Sequence, residues 1–362
     1  MSTINAAIMS ARVVDEKFAD AAKTEVPKLI VSADSHVDEP ADLWKHLSED
    51  EQSKLPRLVK WDNNKRPAGG LDPKIRIEHM DLDGVAAEVL YPTMVLRAFT
   101  APPKVQEKAF RAYNDWLAGY CATSPKRLFG IPCLSVYDID VAVKELQRCH
   151  EMGLKGGLIW QVPEPSLPFK SRHYEKLWSA AAELDMPINY HILSGFSYNL
   201  HNADAKGMER IRGSVVIKTA DAATTVFDMI WSGVFERHPK LKMEMVEAEI
   251  GWLPFVLQQW DYYFQRFTKP GQIAIETFDI KRKPSEIFEQ HFYATFMDDD
   301  VGATLLKNWG LKNCMWSSDY PHGNMTWPNS RAFLAKQMAE MPADRIKHLT
   351  SQNVIELYKL EL

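Results

Sequence analysis

The segment Lys28-Leu-Ile-Val-Ser-Ala-Asp-Ser-His36 decides the fold of this chain and indicates its chemistry. Its apolar run, Leu29 to Val31, passes directly into polar residues, as in a parallel strand that is buried on both faces. Asp34 and His36 are two residues apart, so on an extended strand their side chains point to the same side. The segment therefore predicts a buried strand whose carboxyl end carries a chelating pair.

Seven further strand-like segments follow, separated by helical patterns or long loops. The eight predicted strands are Leu29–Val31, Ala87–Tyr91, Arg127–Leu134, Gly156–Trp160, Met186–His191, Leu241–Val246, Phe292–Phe296 and Asn313–Ser318. The longest predicted helix runs from Val216 to Phe235. Eight β–α units in one chain predict an α/β fold of the (β/α)8 TIM barrel type. A doubly wound open sheet is the alternative, but the sequence has no G-x-G-x-x-G motif and no P-loop motif.

Two segments lie outside this alternation. Residues 1–27 are polar and Ala-rich, and we interpret them as an N-terminal arm. Residues 45–74 are rich in Lys, Asp, Asn, Pro and Gly, which predicts an inserted loop, with a lid as one interpretation of it. The expected organisation is an arm over 1–27 followed by one barrel over 28–362.

Composition excludes several classes of protein. The 362 residues carry 43 Lys and Arg against 48 Asp and Glu, a net charge of −5, which disfavours binding to nucleic acid or to an anionic membrane. No apolar run approaches the ~18 residues of a membrane span, and charged residues interrupt the N-terminal stretch. The four cysteines form no C-x-x-C pair, so we expect reduced, mostly buried thiols in a cytoplasmic protein.

Ionisable residues occupy the carboxyl ends of four predicted strands, where barrel enzymes hold their active sites. The first strand ends in Asp34 and His36 with Glu39 beyond, the fifth in His191, the sixth in Glu247 and Glu249, and the eighth in Asp319 with His322 beyond. Each residue alone has a structural explanation: a turn or cap, a core histidine, or a surface pair. Their coincidence at four strand ends favours a common site.

These residue types suit a divalent metal with an open coordination position. We predict that Asp34, His36, His191 and Asp319 bind one ion. Glu39 and Glu247, with His201 or His322, are candidates for a second. Carboxylates beside few imidazoles, with no thiolate ligand, suit Zn, Mn or Fe.

Three motifs identify a family resemblance. Residues 32–40, 244–255 and 316–330 resemble the amidohydrolase superfamily, and the nearest branch includes the aminocarboxymuconate-semialdehyde and resorcylate decarboxylases. The resemblance covers residues 28–360 and implies a distorted barrel with a metal ion. It also implies that Asp34, His36, His191 and Asp319 occupy the positions of the family's ligands.

One departure from the family pattern bears on function. The decarboxylases carry a catalytic His after the sixth strand, where this chain has Val246-Glu-Ala-Glu249. Glu247 therefore stands where that His would be, and a carboxylate cannot polarise a substrate carboxylate as a cationic imidazole does. It can, however, bind a second metal ion. A small group resembling this superfamily uses a two-metal iron or manganese centre for oxygenation, so this alternative stays open.

Three functional hypotheses follow. The first is a metal-dependent hydrolase or non-oxidative decarboxylase that uses a metal-bound water or a metal-held substrate oxygen, with Asp319 and Glu247 as the catalytic candidates. The second is a dinuclear Fe or Mn oxygenase. The third is a non-catalytic barrel subunit of a complex.

Three aromatic residues are candidates for the pocket of a small aromatic or carboxylate substrate: Tyr91, Trp160 and Trp252. We also expect the protein to form a homo- or hetero-oligomer.

Overall fold

The computed structural model describes residues 25–61, 66–197, 205–268, 279–309 and 312–362. The predicted arm, except for residues 25–27, lies outside this part of the chain. Within the described residues, no helix combines the length and the apolar character needed to cross a bilayer. Cys121, Cys133, Cys149 and Cys314 are all buried and unpaired, as the composition predicts.

Eight parallel strands form the centre of the molecule at the predicted places. They are β1 Val31–Val37, β2 Ala87–Pro92, β3 Leu128–Gly130, β4 Gly157–Ile159, β5 Ile188–His191, β6 Met243–Val246, β7 Phe292–Phe296 and β8 Cys314–Trp316. Every residue of β1 is buried, polar ones included, as expected of a strand enclosed on both faces. β1 begins two residues later than the apolar run, at Val31, and continues through His36 to Val37.

The strands close into a barrel with two irregular seams. β1–β2–β3 form one ladder and β4–β5–β6–β7–β8 another. A parallel bridge between Cys133 and Leu158 joins the two ladders on one side. On the other side, the Asp319 amide donates to the Asp34 carbonyl at 3.1 Å, and the His36 amide donates to the Tyr320 carbonyl at 2.6 Å. The distorted TIM barrel is therefore confirmed, and the open sheet is not formed.

Helices follow most strands. They are α1 Glu49–Gln52, α2 Pro73–Asp83, α3 Pro103–Cys121, α4 Ile139–Glu151, α5 Glu175–Glu183, α6 Met208–Val216, α7 Ala222–Trp231, α8 Val234–Arg237, α9 Leu253–Thr268, α10 Pro284–His291, α11 Asp300–Asn308, α12 Ser330–Gln337, α13 Ala343–Lys347 and α14 Asn353–Tyr358. Asp72 caps α2 and Asp138 caps α4 by accepting hydrogen bonds from first-turn amides.

The single helix predicted over 216–235 is wrong, because the structure divides this stretch. A π-helical turn, Ile217–Asp221, joins α6 to α7, and Gly233 separates α7 from α8. Gly233 has a φ of 68°, and a Cβ there would lie 2.6 Å from the Asp279 Cβ. A periodicity pattern does not register this left-handed residue, which only glycine adopts without strain.

The inserted loop packs over the end of β1. Its short turn, Ala68–Gly70, accepts hydrogen bonds from the Tyr120 hydroxyl at Gly69 (2.6 Å) and from the Asp38 amide at Gly70 (2.9 Å). A Cβ on Gly70 would lie 2.2 Å from an Asp38 carboxylate oxygen, so the close approach requires glycine. The turn Ala68–Gly70 is thereby fixed next to the strand end that carries Asp34 and His36.

A buried ion pair supports β1 from behind. Arg76 of α2 is completely buried, and its Nε lies 2.5 Å from Glu88 Oε2 on β2. Its Nη1 donates to the His36 carbonyl at 2.6 Å, while Ser35 Oγ donates to Glu88 Oε1 at 3.3 Å. The guanidinium therefore fixes the backbone of a predicted ligand through charge-assisted hydrogen bonds.

Replacing Arg76 should destabilise the protein strongly. Arg76→Met leaves the Glu88 carboxylate buried without its cation, so we expect a loss of about 3–5 kcal/mol in the free energy of unfolding. Urea denaturation followed by circular dichroism measures this loss. Lys176→Met, which breaks the exposed pair between Lys176 and Asp140, serves as the control and should be close to neutral. Equal stabilities of the two variants would contradict the role given to Arg76.

Candidate metal centre

The carboxyl ends of β1, β5, β6 and β8 bring predicted site residues together. Asp34 and His36 lie on β1 and His191 ends β5, and all three are completely buried. Asp319 follows β8 and is also completely buried, whereas the side chain of Glu247, after β6, is 12% exposed. The floor of the site is therefore sealed from solvent, and Glu247 lies at its edge.

Left-handed backbone at two strand ends aims the carboxylates. Glu247 has a φ of 60°, Glu249 of 55° and Asp319 of 53°. The Glu247 amide donates to Thr295 Oγ1 at 2.7 Å, and the Asp319 amide is held by β1. Such conformations are unfavourable for residues other than glycine and persist where the surroundings enforce them, often at functional sites.

The side chains converge to within a few ångström. His36 Nε2 lies 3.5 Å from Asp34 Oδ1 and 3.4 Å from Asp319 Oδ1. His191 Nε2 lies 3.2 Å from His36 Nε2, 3.6 Å from Asp34 Oδ1 and 3.7 Å from Glu247 Oε2. His322 Nδ1 lies 2.7 Å from Asp319 Oδ1. This is a compact set of imidazoles and carboxylates.

The convergence forms two overlapping groups of possible ligands. One consists of Asp34, His36, His191 and Glu247, and the other of His36, Glu247, Asp319 and His322. Within each group, one ligand atom per residue lies within 4.8 Å of all the others. His36 and Glu247 belong to both groups.

Unpaired buried oxygens show that this set fits a cation. Among the described residues, both carboxylate oxygens of Asp34 and the Oδ2 of Asp319 are buried without a hydrogen-bond donor. Leaving a buried carboxylate oxygen unpaired is costly, and a divalent ion would offset that cost. His36 Nδ1 lies 2.7 Å from the Pro92 carbonyl and His191 Nδ1 lies 2.8 Å from the Ile192 carbonyl. These contacts favour protons on both Nδ1 atoms, which leaves each Nε2 as the ligating atom.

The protonation of the cluster follows from burial and charge. Burial lowers the pKa of the His191 imidazole, but the neighbouring carboxylates of Asp34 and Glu247 outweigh it and raise that pKa to about 9. Burial, followed by the negative charge of Asp319, raises the pKa of Glu247 to about 7. Burial and the charges of His322 and His191 hold the pKa of His36 well below its usual range. Without a cation, protons therefore compensate the buried carboxylates.

Glu39 does not join this cluster. Its Oε1 accepts from the amides of Thr93 (2.8 Å) and Val95 (3.1 Å), and its Oε2 accepts from the Met94 amide (3.0 Å). Both oxygens are thus occupied by the loop after β2, which gives Glu39 a role in shaping the mouth. His201 lies outside the described residues.

The three predicted pocket aromatics have different surroundings. Tyr91 lies under the site, with its ring centroid 5.3 Å from that of His191. Trp160 is completely buried and donates from Nε1 to Tyr174 Oη at 3.1 Å, which places it in the core. Trp252 is partly buried in the turn after β6 and donates to the Ala248 carbonyl at 3.0 Å.

Two features of the site have no signal in the sequence pattern. Beneath the ligands, Glu244 Oε2 accepts hydrogen bonds from Tyr91, Asn189 and Tyr358 in the barrel interior. At the rim, Lys218 Nζ lies 3.6 Å from carboxylate oxygens of both Glu247 and Glu249. Both sets join residues that are far apart in the sequence, so no local spacing could have indicated them.

Known proteins resemble this chain over most of its length. A family model described as amidohydrolase matches residues 34–360. Gamma-resorcylate decarboxylase of Rhizobium sp. strain MTP-10005 is 27% identical over 299 residues, which cover 79% of this chain and 86% of that protein.

Solved structures share the fold. The 5-carboxyvanillate decarboxylase of Sphingomonas paucimobilis superposes with a TM-score of 0.71 at 21% identity, covering 92% of this chain and 100% of that one. The dihydroxybenzoic acid decarboxylase of Polaromonas sp. JS666 was solved with manganese and the inhibitor 2-nitroresorcinol. It superposes with a TM-score of 0.64 at 20% identity, covering 91% of this chain and 97% of that one. The chain belongs to the amidohydrolase family, in the branch of aminocarboxymuconate-semialdehyde-like decarboxylases.

Proposed function

We propose that this protein is a metal-dependent carboxy-lyase that removes a carboxylate, without oxidation, from a small aromatic substrate. The unpaired buried oxygens of Asp34 and Asp319, facing two imidazoles at the barrel mouth, carry the proposal. The named activities of the relatives support this reaction and substrate class.

The proposed ligands are Asp34, His36, His191 and Asp319, with Glu247 completing the set. They are drawn from both overlapping groups, since Asp319 belongs to the second and is joined to the first through His36 and Glu247. A divalent ion held there would supply Lewis acidity toward a substrate oxygen. Manganese is the first candidate, because the Polaromonas decarboxylase contains it. Zinc and iron suit the same nitrogen and oxygen donors.

Asp319 and His322 are the proposed proton carriers. In non-oxidative decarboxylation the bond between the ring carbon and the carboxylate breaks, carbon dioxide leaves, and a proton takes its place on that carbon. Asp319 is buried and paired with His322 Nδ1 at 2.7 Å, while His322 Nε2 lies 3.2 Å from Thr93 Oγ1. The His322 side chain is 20% exposed, so this pair connects the buried site with solvent.

A dinuclear oxygenase is the second candidate. The observation that favours it is the second ligand group, in which Glu247 and His322 join His36 and Asp319. If two ions were bound, the ligands of the two overlapping groups would be divided between them. Metal stoichiometry and oxygen consumption separate the two functions. A protein that holds no metal after reconstitution would favour a non-catalytic barrel subunit.

Removing a proposed ligand should abolish metal binding. We expect His191→Ala and Asp319→Asn to lower bound manganese by about tenfold or more after reconstitution, because each loses a direct ligand. Elemental analysis after gel filtration gives the metal content. His150→Ala replaces an exposed histidine of α4 and should keep the wild-type content. Wild-type manganese in both site variants would refute the ligand set.

Metal affinity should rise with pH. At neutral pH the metal-free protein keeps a proton on His191, whose pKa is about 9, and partly on Glu247, whose pKa is about 7. A cation must displace these protons, so the manganese association constant should increase by up to about tenfold per pH unit for each proton released. Calorimetry in buffers of different ionisation enthalpy measures the proton release. An affinity independent of pH between about 6 and 9 would contradict this protonation scheme.

The reaction itself is tested by carbon dioxide release. Manganese-loaded protein should release carbon dioxide from 2,6-dihydroxybenzoate or 5-carboxyvanillate equally well in air and under nitrogen. A chelator should stop the release, and added manganese should restore it. Turnover that consumes oxygen, with two ions per chain, would replace the carboxy-lyase with the oxygenase.

A further inference from the structure

Lys218 lies at the solvent side of the proposed metal centre. It belongs to the π-helical turn Ile217–Asp221, whose first residue is buried, and Gln161 Nε2 donates to the Ile217 carbonyl at 3.5 Å. Thr225 Oγ1 of α7 donates to the Gln161 carbonyl at 3.0 Å. The turn is thus tied to the loop after β4, and the lysine reaches from it to the carboxylates that follow β6.

The contacts of Lys218 are ionic and loose. Its Nζ lies 3.6 Å from Glu247 Oε1 and 3.6 Å from Glu249 Oε1, longer than a direct hydrogen bond of this type. Both contacts are ion pairs, and their length leaves the ammonium able to turn toward the carboxylate of a bound molecule.

Exposure increases from the floor of the site to this lysine. The side chains of Asp34, His36, His191 and Asp319 are inaccessible, Glu247 is 12% exposed and Lys218 is 30% exposed. Lys218 is therefore the most exposed of these side chains and lies on a solvent-facing side of the buried ligands.

The other described cations near the site are committed elsewhere. Arg66 Nε donates to Asp38 Oδ2 at 2.8 Å, and its Nη2 lies 2.7 Å from Asp38 Oδ1, which together form a two-point pair. Arg76 is buried against Glu88. Lys218, by contrast, is paired only with carboxylates of the site itself, Glu247 and Glu249, among the contacts described for it.

The charge of the site requires such a cation. Four carboxylates lie close together here, those of Asp34, Asp319, Glu247 and Glu249. One divalent ion compensates the negative charge of two of them. Lys218 compensates a third. Without it, the site would repel an incoming carboxylate more strongly, in surroundings where charges are poorly screened.

We infer that Lys218 is the anion-recognition residue of this site and binds the carboxylate of an aromatic substrate at the rim of the metal centre. The inference rests on the proposed function and gives it a specificity-determining residue. The alternative is that Lys218 only balances the charges of Glu247 and Glu249. In that case Lys218 would give the site no preference for charged ligands.

The test compares two ligands that differ by one carboxylate. Resorcinol, the uncharged counterpart, is titrated calorimetrically into manganese-loaded protein. The dissociation constant of 2,6-dihydroxybenzoate, which decarboxylation would convert into resorcinol, is taken from the concentration dependence of single-turnover carbon dioxide release, or from calorimetry where no release occurs. Lys218→Met should weaken binding of the carboxylate by about tenfold or more and leave resorcinol within about twofold. Lys218→Arg keeps the charge and should stay within about threefold of wild type for both ligands. Arg212→Met removes an exposed cation of α6, paired with Glu209 at 3.3 Å, and should change neither ligand.

Manganese content and unfolding temperature are measured for each variant, and Lys218→Gln replaces Lys218→Met if the latter is unstable. The inference would be overturned if the neutral variants bound the carboxylate as tightly as the wild type does. It would also be overturned if they lost affinity for both ligands equally or lost bound manganese. A wild-type protein that binds the carboxylate no more tightly than resorcinol would overturn it as well. If carboxylate binding depends on Lys218 but the protein releases no carbon dioxide, the proposed carboxy-lyase function is contradicted and the inference about Lys218 stands. Carbon dioxide release with unchanged binding in Lys218→Met would contradict this inference alone.

Discussion

The seam between β1 and the turn after β8 is the constraint on which the site depends. The Asp319 amide and the Asp34 carbonyl form one of its hydrogen bonds, so two buried carboxylates meet at the point where the barrel closes. Ser32 Oγ accepts from the Ser318 amide at 2.9 Å in the same seam. Closing the barrel therefore concentrates negative charge in a region of low dielectric, which is unfavourable unless a cation or protons compensate it.

The rest of the molecule maintains this arrangement. Arg76 holds the His36 carbonyl from behind, and Glu39 organises the loop after β2 through three amides. Left-handed residues at the ends of β6 and β8 aim Glu247 and Asp319 inward. Part of the acid excess of this chain is consequently internal, and a bound cation reduces the effective negative charge of the loaded protein.

The barrel strands and most of the proposed ligands could be predicted from local sequence. The strands are recognisable because buried parallel strands are short apolar runs, and the polar residues that follow them mark the mouth of the barrel. Glu39 illustrates the limit, because its carboxylate is held by amides at 93–95, more than fifty positions away. Lys218 illustrates another, since its π-helical turn lies inside what periodicity presents as one continuous helix. Such partners are set by tertiary packing, which local patterns do not encode.

The central claim is that a divalent cation compensates the carboxylates at the seam. Elemental analysis of protein purified without added metal, followed by anomalous scattering from its crystals, tests this claim most directly. We expect at least one transition-metal ion per chain, located between Asp34, His36, His191 and Asp319. Crystals of manganese-soaked protein with no anomalous peak among these residues would contradict it.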